Sequence, residues 1–94
     1  MTKPPALSPY FGPLLIHFSR TLESFTRATL REFQSVSDWL DAMESDGYQS
    51  LAEREARARW LDAYNERELA GRRLMTATST LVAIVNLNPP PASA

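Results

Sequence analysis

Proline is confined to the two ends of this 94-residue chain. Pro4, Pro5, Pro9 and Pro13 stand before Leu14, and Pro89, Pro90 and Pro91 follow Asn88. The window between them holds only two glycines, Gly47 and Gly71. Proline removes a helical hydrogen bond and glycine weakens a helix, so this window is open to long helices. Its internal punctuation marks one break. Ser45-Asp46-Gly47 reads as a helix stop, with Gly47 free to turn left-handed. Ser50-Leu51-Ala52-Glu53 matches a capping box, and Gly12-Pro13 suits a helix entry with proline first. The signals predict helix one over about 13–45 and helix two over about 51–86. A proline-rich arm (1–12) and a short tail (89–94) flank this single small domain.

Apolar spacing supports the same division. In helix one, Leu15, Phe18, Leu22, Phe25, Thr29, Val36, Trp39 and Met43 step by threes and fours, with Glu32 as the charged interruption. In helix two, Ala52, Ala56, Trp60, Ala63, Ala70, Leu74, Ala77, Leu81 and Ile84 do the same, and Arg67 is the break. Thr76 to Val85 is rich in β-branched residues that favour a strand locally, but the seam continues through it and predicts helix. The fold expected is all-α, a long antiparallel hairpin.

A turn at Gly47 sets Asp41 near Arg54, Asp38 near Arg57, Arg31 near Asp62 and Arg27 near Glu66, all opposite in sign. It also sets Phe25 against Leu69 and Ala70, and Phe18 against Leu74 and Ala77. Helix one carries more apolar side chains than one partner can cover. Leu14, Leu30, Phe33 and Leu40 are left on its flank, and contiguous apolar surface usually marks an interface. The expectation is assembly into a helical-bundle oligomer. The alternative is a break near 35–38 that folds the chain into a three-helix monomer.

The residue inventory excludes much chemistry. There is no cysteine and one histidine, so thiolate metal sites, disulfides and histidine clusters are out. His17 has Pro13, Leu14, Arg20 and Thr21 at helical spacing, none of which makes it a ligand or a general base. The chain is expected to be non-enzymatic, without cofactor or metal. A formal charge of −1 gives no bulk attraction to nucleic acid or anionic lipid. Two charged patches stand out as possible partner sites. Asp38, Asp41, Glu44 and Asp46 form an acidic tip; Arg20, Arg72 and Arg73, with Lys3, form a basic mouth. Three arginines without interleaved exposed aromatics are weak grounds for nucleic acid. No stretch is long and apolar enough to span a bilayer, and Met1 to Pro13 does not have the form of a signal peptide. A cytoplasmic protein is the default, with signal-independent export and peripheral lipid contact left open. The arginine-dominated basic residues suit a GC-rich bacterial genome.

Tyr64 and Glu68 stand at Tyr-x-x-x-Glu spacing. In that feature and in length the chain resembles the small secreted hairpins of the WXG100 class, though it lacks their Trp-x-Gly turn and Tyr64 falls mid-helix. Through Trp60, Tyr64 and Asn65 it resembles the needle subunits of type III secretion, from which its proline-rich tail departs. Its alanine-rich amphipathic character is also similar to that of phasins, the coats of storage granules. Such resemblances imply a secreted or filament-forming hairpin, or a coat on a hydrophobic surface. The residues themselves point first to a self-associating scaffold, adaptor or small chaperone-like protein. Its expected core is Leu15, Phe18, Leu22, Phe25, Leu30, Phe33, Val36, Trp39, Leu40, Trp60, Ala70, Leu74, Leu81 and Ile84.

Overall fold

The structure, a computed structural model, describes Pro9 and residues 11–87. Two helices make up the described fold, α1 (Phe11–Asp46) and α2 (Leu51–Leu87), folded back on each other as an antiparallel hairpin. Each is roughly 54 Å long at 1.5 Å per residue. Apart from Pro9, Phe11 and Gly12, the arm assigned to 1–12 lies outside the described residues, as do Lys3 and the tail 89–94. Phe11 and Gly12 already belong to α1, so Pro13 is its third residue rather than its first. A proline in the first turn withholds no N–H that the helix would use.

α1 passes through residues 35–38 without a break, so the three-helix arrangement does not form. The segment from Thr76 to Val85 is helical. Its hydroxyls turn inward along the helix: Thr76, Thr78 and Thr80 donate to the carbonyls of Arg72, Leu74 and Thr76 at 3.1, 2.8 and 3.0 Å. That back-bonding satisfies the polar groups of a run whose side chains favour strands.

The turn is built as its residues dictate. Gly47 takes φ +87° and donates its amide to the Met43 carbonyl at 3.0 Å, and Gln49 is also left-handed at φ 72°. The Ser50 hydroxyl donates to the Gly47 carbonyl at 2.8 Å and accepts from the Glu53 amide at 3.1 Å. Only this half of the expected capping box forms. The Ser50 amide goes to the Gly47 carbonyl, and the Glu53 carboxylate turns inward to Arg57.

Between the helices the chain alternates large and small. α1 turns Phe18, Phe25, Glu32 and Trp39 toward α2 every seventh residue, and Leu14, Thr21, Ala28, Ser35 and Ala42 in a second row. α2 answers with Trp60, Arg67, Leu74 and Leu81 in one row and Ala56, Ala63, Ala70 and Ala77 in the other. Large residues meet on one side, where Trp39 stacks on Trp60 and Glu32 pairs with Arg67. Small residues meet on the other, where Thr21, Ala28, Ala56, Ala63 and Ala77 are buried. The hairpin therefore has a large-residue face and a small-residue face.

Two expectations need correction. The seam of α1 is rotated from the one predicted: Leu15 and Leu22 are 42% and 44% exposed, while Leu14 and Thr21 face α2. In α2, Ala52 is exposed and Glu53 takes its place. The register is also displaced by one helical turn. Arg31 pairs with Glu66 rather than Asp62. Phe25 lies against Gly71, where an added Cβ would come 3.3 Å from the ring, rather than against Leu69 and Ala70.

Candidate self-association surface

The rotated seam leaves an apolar row on the large-residue face. Leu15, Leu22, Thr29, Val36 and Met43 recur every seventh residue of α1, just outside the contact with α2. Phe33 and Leu40 flank this row, and Phe33 is 76% exposed. From α2 the same face receives Leu61, Tyr64, Met75, Val82 and Val85, all exposed. Two clefts that share Phe25 and Arg67 run along it. One, of about 840 Å³, is lined by Gly71, Leu74, Met75, Thr78 and Val82. The other, of about 420 Å³, is lined by Thr29, Glu32, Phe33 and Val36.

The charge at the floor of this face is internally matched. The Arg67 guanidinium donates to both Glu32 oxygens, at 3.2 Å to Oε2, and its Nη2 lies 3.3 Å from Glu68 Oε1. It also lies 5.2 Å from the Tyr64 ring centroid. The hydrogen bond to Glu32 is the largest influence raising the Arg67 pKa above its ordinary value, against the opposing pull of desolvation. The two residues that interrupt the apolar seams are thus each other's partners.

Toward the turn, Trp39 and Trp60 stack with centroids 5.0 Å apart and planes 4° apart, and Tyr64 tilts against Trp60 at 6.2 Å. Both indole N–H groups are buried without a hydrogen-bond partner. Glu53 is fully buried; its Oε2 accepts from Arg57 Nε at 3.2 Å, and Oε1 is unpartnered. Arg57 further donates to Gln49 Oε1 at 3.2 Å and covers the Tyr48 ring at 5.5 Å. That network commits Arg57 to the turn.

The predicted acidic tip is consequently not neutralised as expected. Asp38, Asp41, Glu44 and Asp46 are exposed, and none forms an ion pair among the described residues; Asp38 accepts from Gln34 Nε2 at 3.1 Å. The predicted basic mouth divides. Arg20 and Arg73 share a cleft of about 180 Å³ with His17, Thr21 and Ser24 on the small-residue face. Arg72 lines the large cleft on the opposite face. Sequence reasoning missed Arg27 and Arg31 as members of the basic side, which join Arg73 in a neighbouring cleft of about 240 Å³. It also missed Met75 and Val82, which follow Glu68 at successive steps of seven and so share one stripe.

Of the expected core, Phe18, Phe25, Val36, Trp39, Trp60, Ala70, Leu74, Leu81 and Ile84 are half-buried, while Leu15, Leu22, Leu30, Phe33 and Leu40 are exposed. Ala70 lies on the small-residue side with Ala28, not beneath Phe25. Among the described residues no group of three histidine, cysteine, aspartate or glutamate side chains could hold a metal, and no helix is long and apolar enough to cross a membrane. No family model, curated protein or solved structure matches this chain.

Proposed function

We propose that this protein is a non-enzymatic, self-associating helical hairpin that serves as a scaffold, adaptor or small chaperone-like interaction protein. The observation that carries this reading is the direction of α1's apolar weight. Leu15 and Leu22 of its row are exposed rather than turned into α2, Val36 and Met43 continue the row half-buried, and Phe33 and Leu40 stand exposed outside it. A hairpin that needed only its own two helices would turn these residues inward. A contiguous apolar stripe on a soluble protein marks an interaction site, and a protein surface is one of the kinds it fits. The non-enzymatic part rests on the sequence: no cysteine, and a single histidine whose helical neighbours include no carboxylate.

Light scattering after size exclusion tests the reading. At micromolar concentration the mass should be at least twice the 10.6 kDa of one chain. A monomer of that mass with cooperative unfolding would overturn it.

One observation favours the filament-forming variant as second reading. The clefts on the small-residue face toward the open end are lined by Arg20, Arg27 and Arg73, whereas Asp38, Asp41, Glu44 and Asp46 are exposed on α1 toward the turn. Such segregation suits end-to-end joining of copies. Growth of mass without limit as concentration rises would support a secreted or filament-forming hairpin. Binding to apolar droplets or neutral vesicles in place of a fixed oligomer would support a coat.

A further inference from the structure

The apolar row of α1, exposed at Leu15 and Leu22 and half-buried at Thr29, Val36 and Met43, has a symmetry of its own. Thr29 is its middle member, with Leu22 and Val36 seven residues to either side and Leu15 and Met43 fourteen to either side. Read in either direction, the row runs large, large, small, large, large. Thr29 also lies at the midpoint of α1, which runs from Phe11 to Asp46. A helix with such a row matches a copy of itself laid antiparallel, since each large residue then meets a large one and the small residues meet at the centre.

We infer that the large-residue face docks onto a second copy of this chain by an antiparallel contact of α1 with α1, with the two-fold axis at Thr29. The inference rests on the self-association proposed above and specifies its geometry. Leu22 meets Val36 of the second copy, Leu15 meets Met43, and Thr29 meets Thr29. A two-fold interface of this kind is self-complementary by construction.

Three features of the face support a second copy as occupant. The first is area. Two helices side by side and ~54 Å long offer more than the ~800 Å² per partner of a typical specific interface. The second is charge. Glu32 and Arg67 are paired with each other on the floor of the face, so neither has to find a partner across the contact. The third is polar satisfaction at the centre. The Thr29 hydroxyl donates to the Phe25 carbonyl at 2.8 Å, so the side chain can enter an apolar contact without leaving its donor unmade.

The chain has no cysteine, so single-cysteine cross-linking gives a direct test. Three full-length variants, Thr29→Cys, Leu22→Cys and Val36→Cys, are oxidised under mild conditions at micromolar concentration. Thr29→Cys should form a disulfide-linked dimer in high yield. Leu22→Cys alone should not, because the Leu22 positions of the two copies lie seven residues to opposite sides of the axis and so stand ~21 Å apart. An equimolar mixture of Leu22→Cys and Val36→Cys should give the mixed cross-link, which checks the geometry if Thr29→Cys disturbs the centre. Efficient self-cross-linking of Leu22→Cys, or a dimer mass with no cross-link at any of these positions, overturns the antiparallel geometry and leaves self-association standing. A monomeric mass for the unsubstituted chain removes both.

Discussion

The two faces of this hairpin are made by the same pair of helices and behave oppositely. On the small-residue face, Thr21, Ala28, Ala56, Ala63 and Ala77 are buried between the two helices. The flanks of that face carry arginines and carboxylates, and its clefts are the smaller ones, about 180 and 240 Å³. On the large-residue face, Phe18, Phe25, Trp39, Trp60 and Leu74 hold the helices apart and remain only half-buried. Clefts of about 840 and 420 Å³ open on this side, next to the apolar row of α1. One row of alanines is therefore buried on one face, while the other keeps its apolar side chains exposed or half-buried. The same substitution should have different consequences on the two sides.

The largest effect is expected where the large side chains meet. Trp60→Ala removes the stack on Trp39 and leaves a gap beside it, which should lower stability by about 3 kcal/mol, read as a shift of the denaturant midpoint. Next comes overpacking of the closed face. Ala63→Leu forces bulk between backbones in contact and should cost about 2 kcal/mol in the same assay, whereas Ala58→Leu on an exposed position should change little. A smaller effect of opposite sign is expected at Gly71. Its added Cβ would meet the rim of the Phe25 ring at 3.3 Å, a contact that a half-buried ring relieves by a small tilt. Helix propensity then favours Gly71→Ala, and the midpoint should rise by less than ~1 kcal/mol equivalent. The smallest change is expected for Arg31→Ala. Its pair with Glu66 is exposed on both sides, so its loss should be below ~0.5 kcal/mol and should vanish in high salt.

The two helices, their ends to within two residues and the turn at Gly47 were all legible from proline, glycine and the Ser50 cap. The rotation of α1 was not. Apolar bulk alone draws the seam through Leu15 and Leu22, yet close helix contact is marked by small residues, here Thr21, Ala28 and Ser35. Register was misread because the carboxylates of α2 repeat at helical spacing. Arg31 finds an acid at Asp62 and another one turn later at Glu66, so opposite sign cannot tell the two registers apart. The residues that do fix it were in view as interruptions. Glu32 and Arg67 break their seams once each, and pairing them gives the observed alignment, with Trp39 on Trp60. The inward turn of Glu53 was hidden behind its fit to a capping box, of which the structure keeps only the Ser50 half.

Face-specific introduction of charge, read as mass in solution, tests the central claim most directly. Leu22→Glu places a carboxylate in the exposed row of α1, and Arg27→Glu places one on the charged flank of the other face; both sites are exposed in the single hairpin, so neither should disturb its helices. Light scattering at equal micromolar concentration, with circular dichroism to confirm helix content, should find Leu22→Glu at the mass of one chain and Arg27→Glu at the mass of the unsubstituted oligomer. An unchanged mass for Leu22→Glu, or dissociation caused by Arg27→Glu alone, would contradict the assignment of the large-residue face as the surface through which this chain associates.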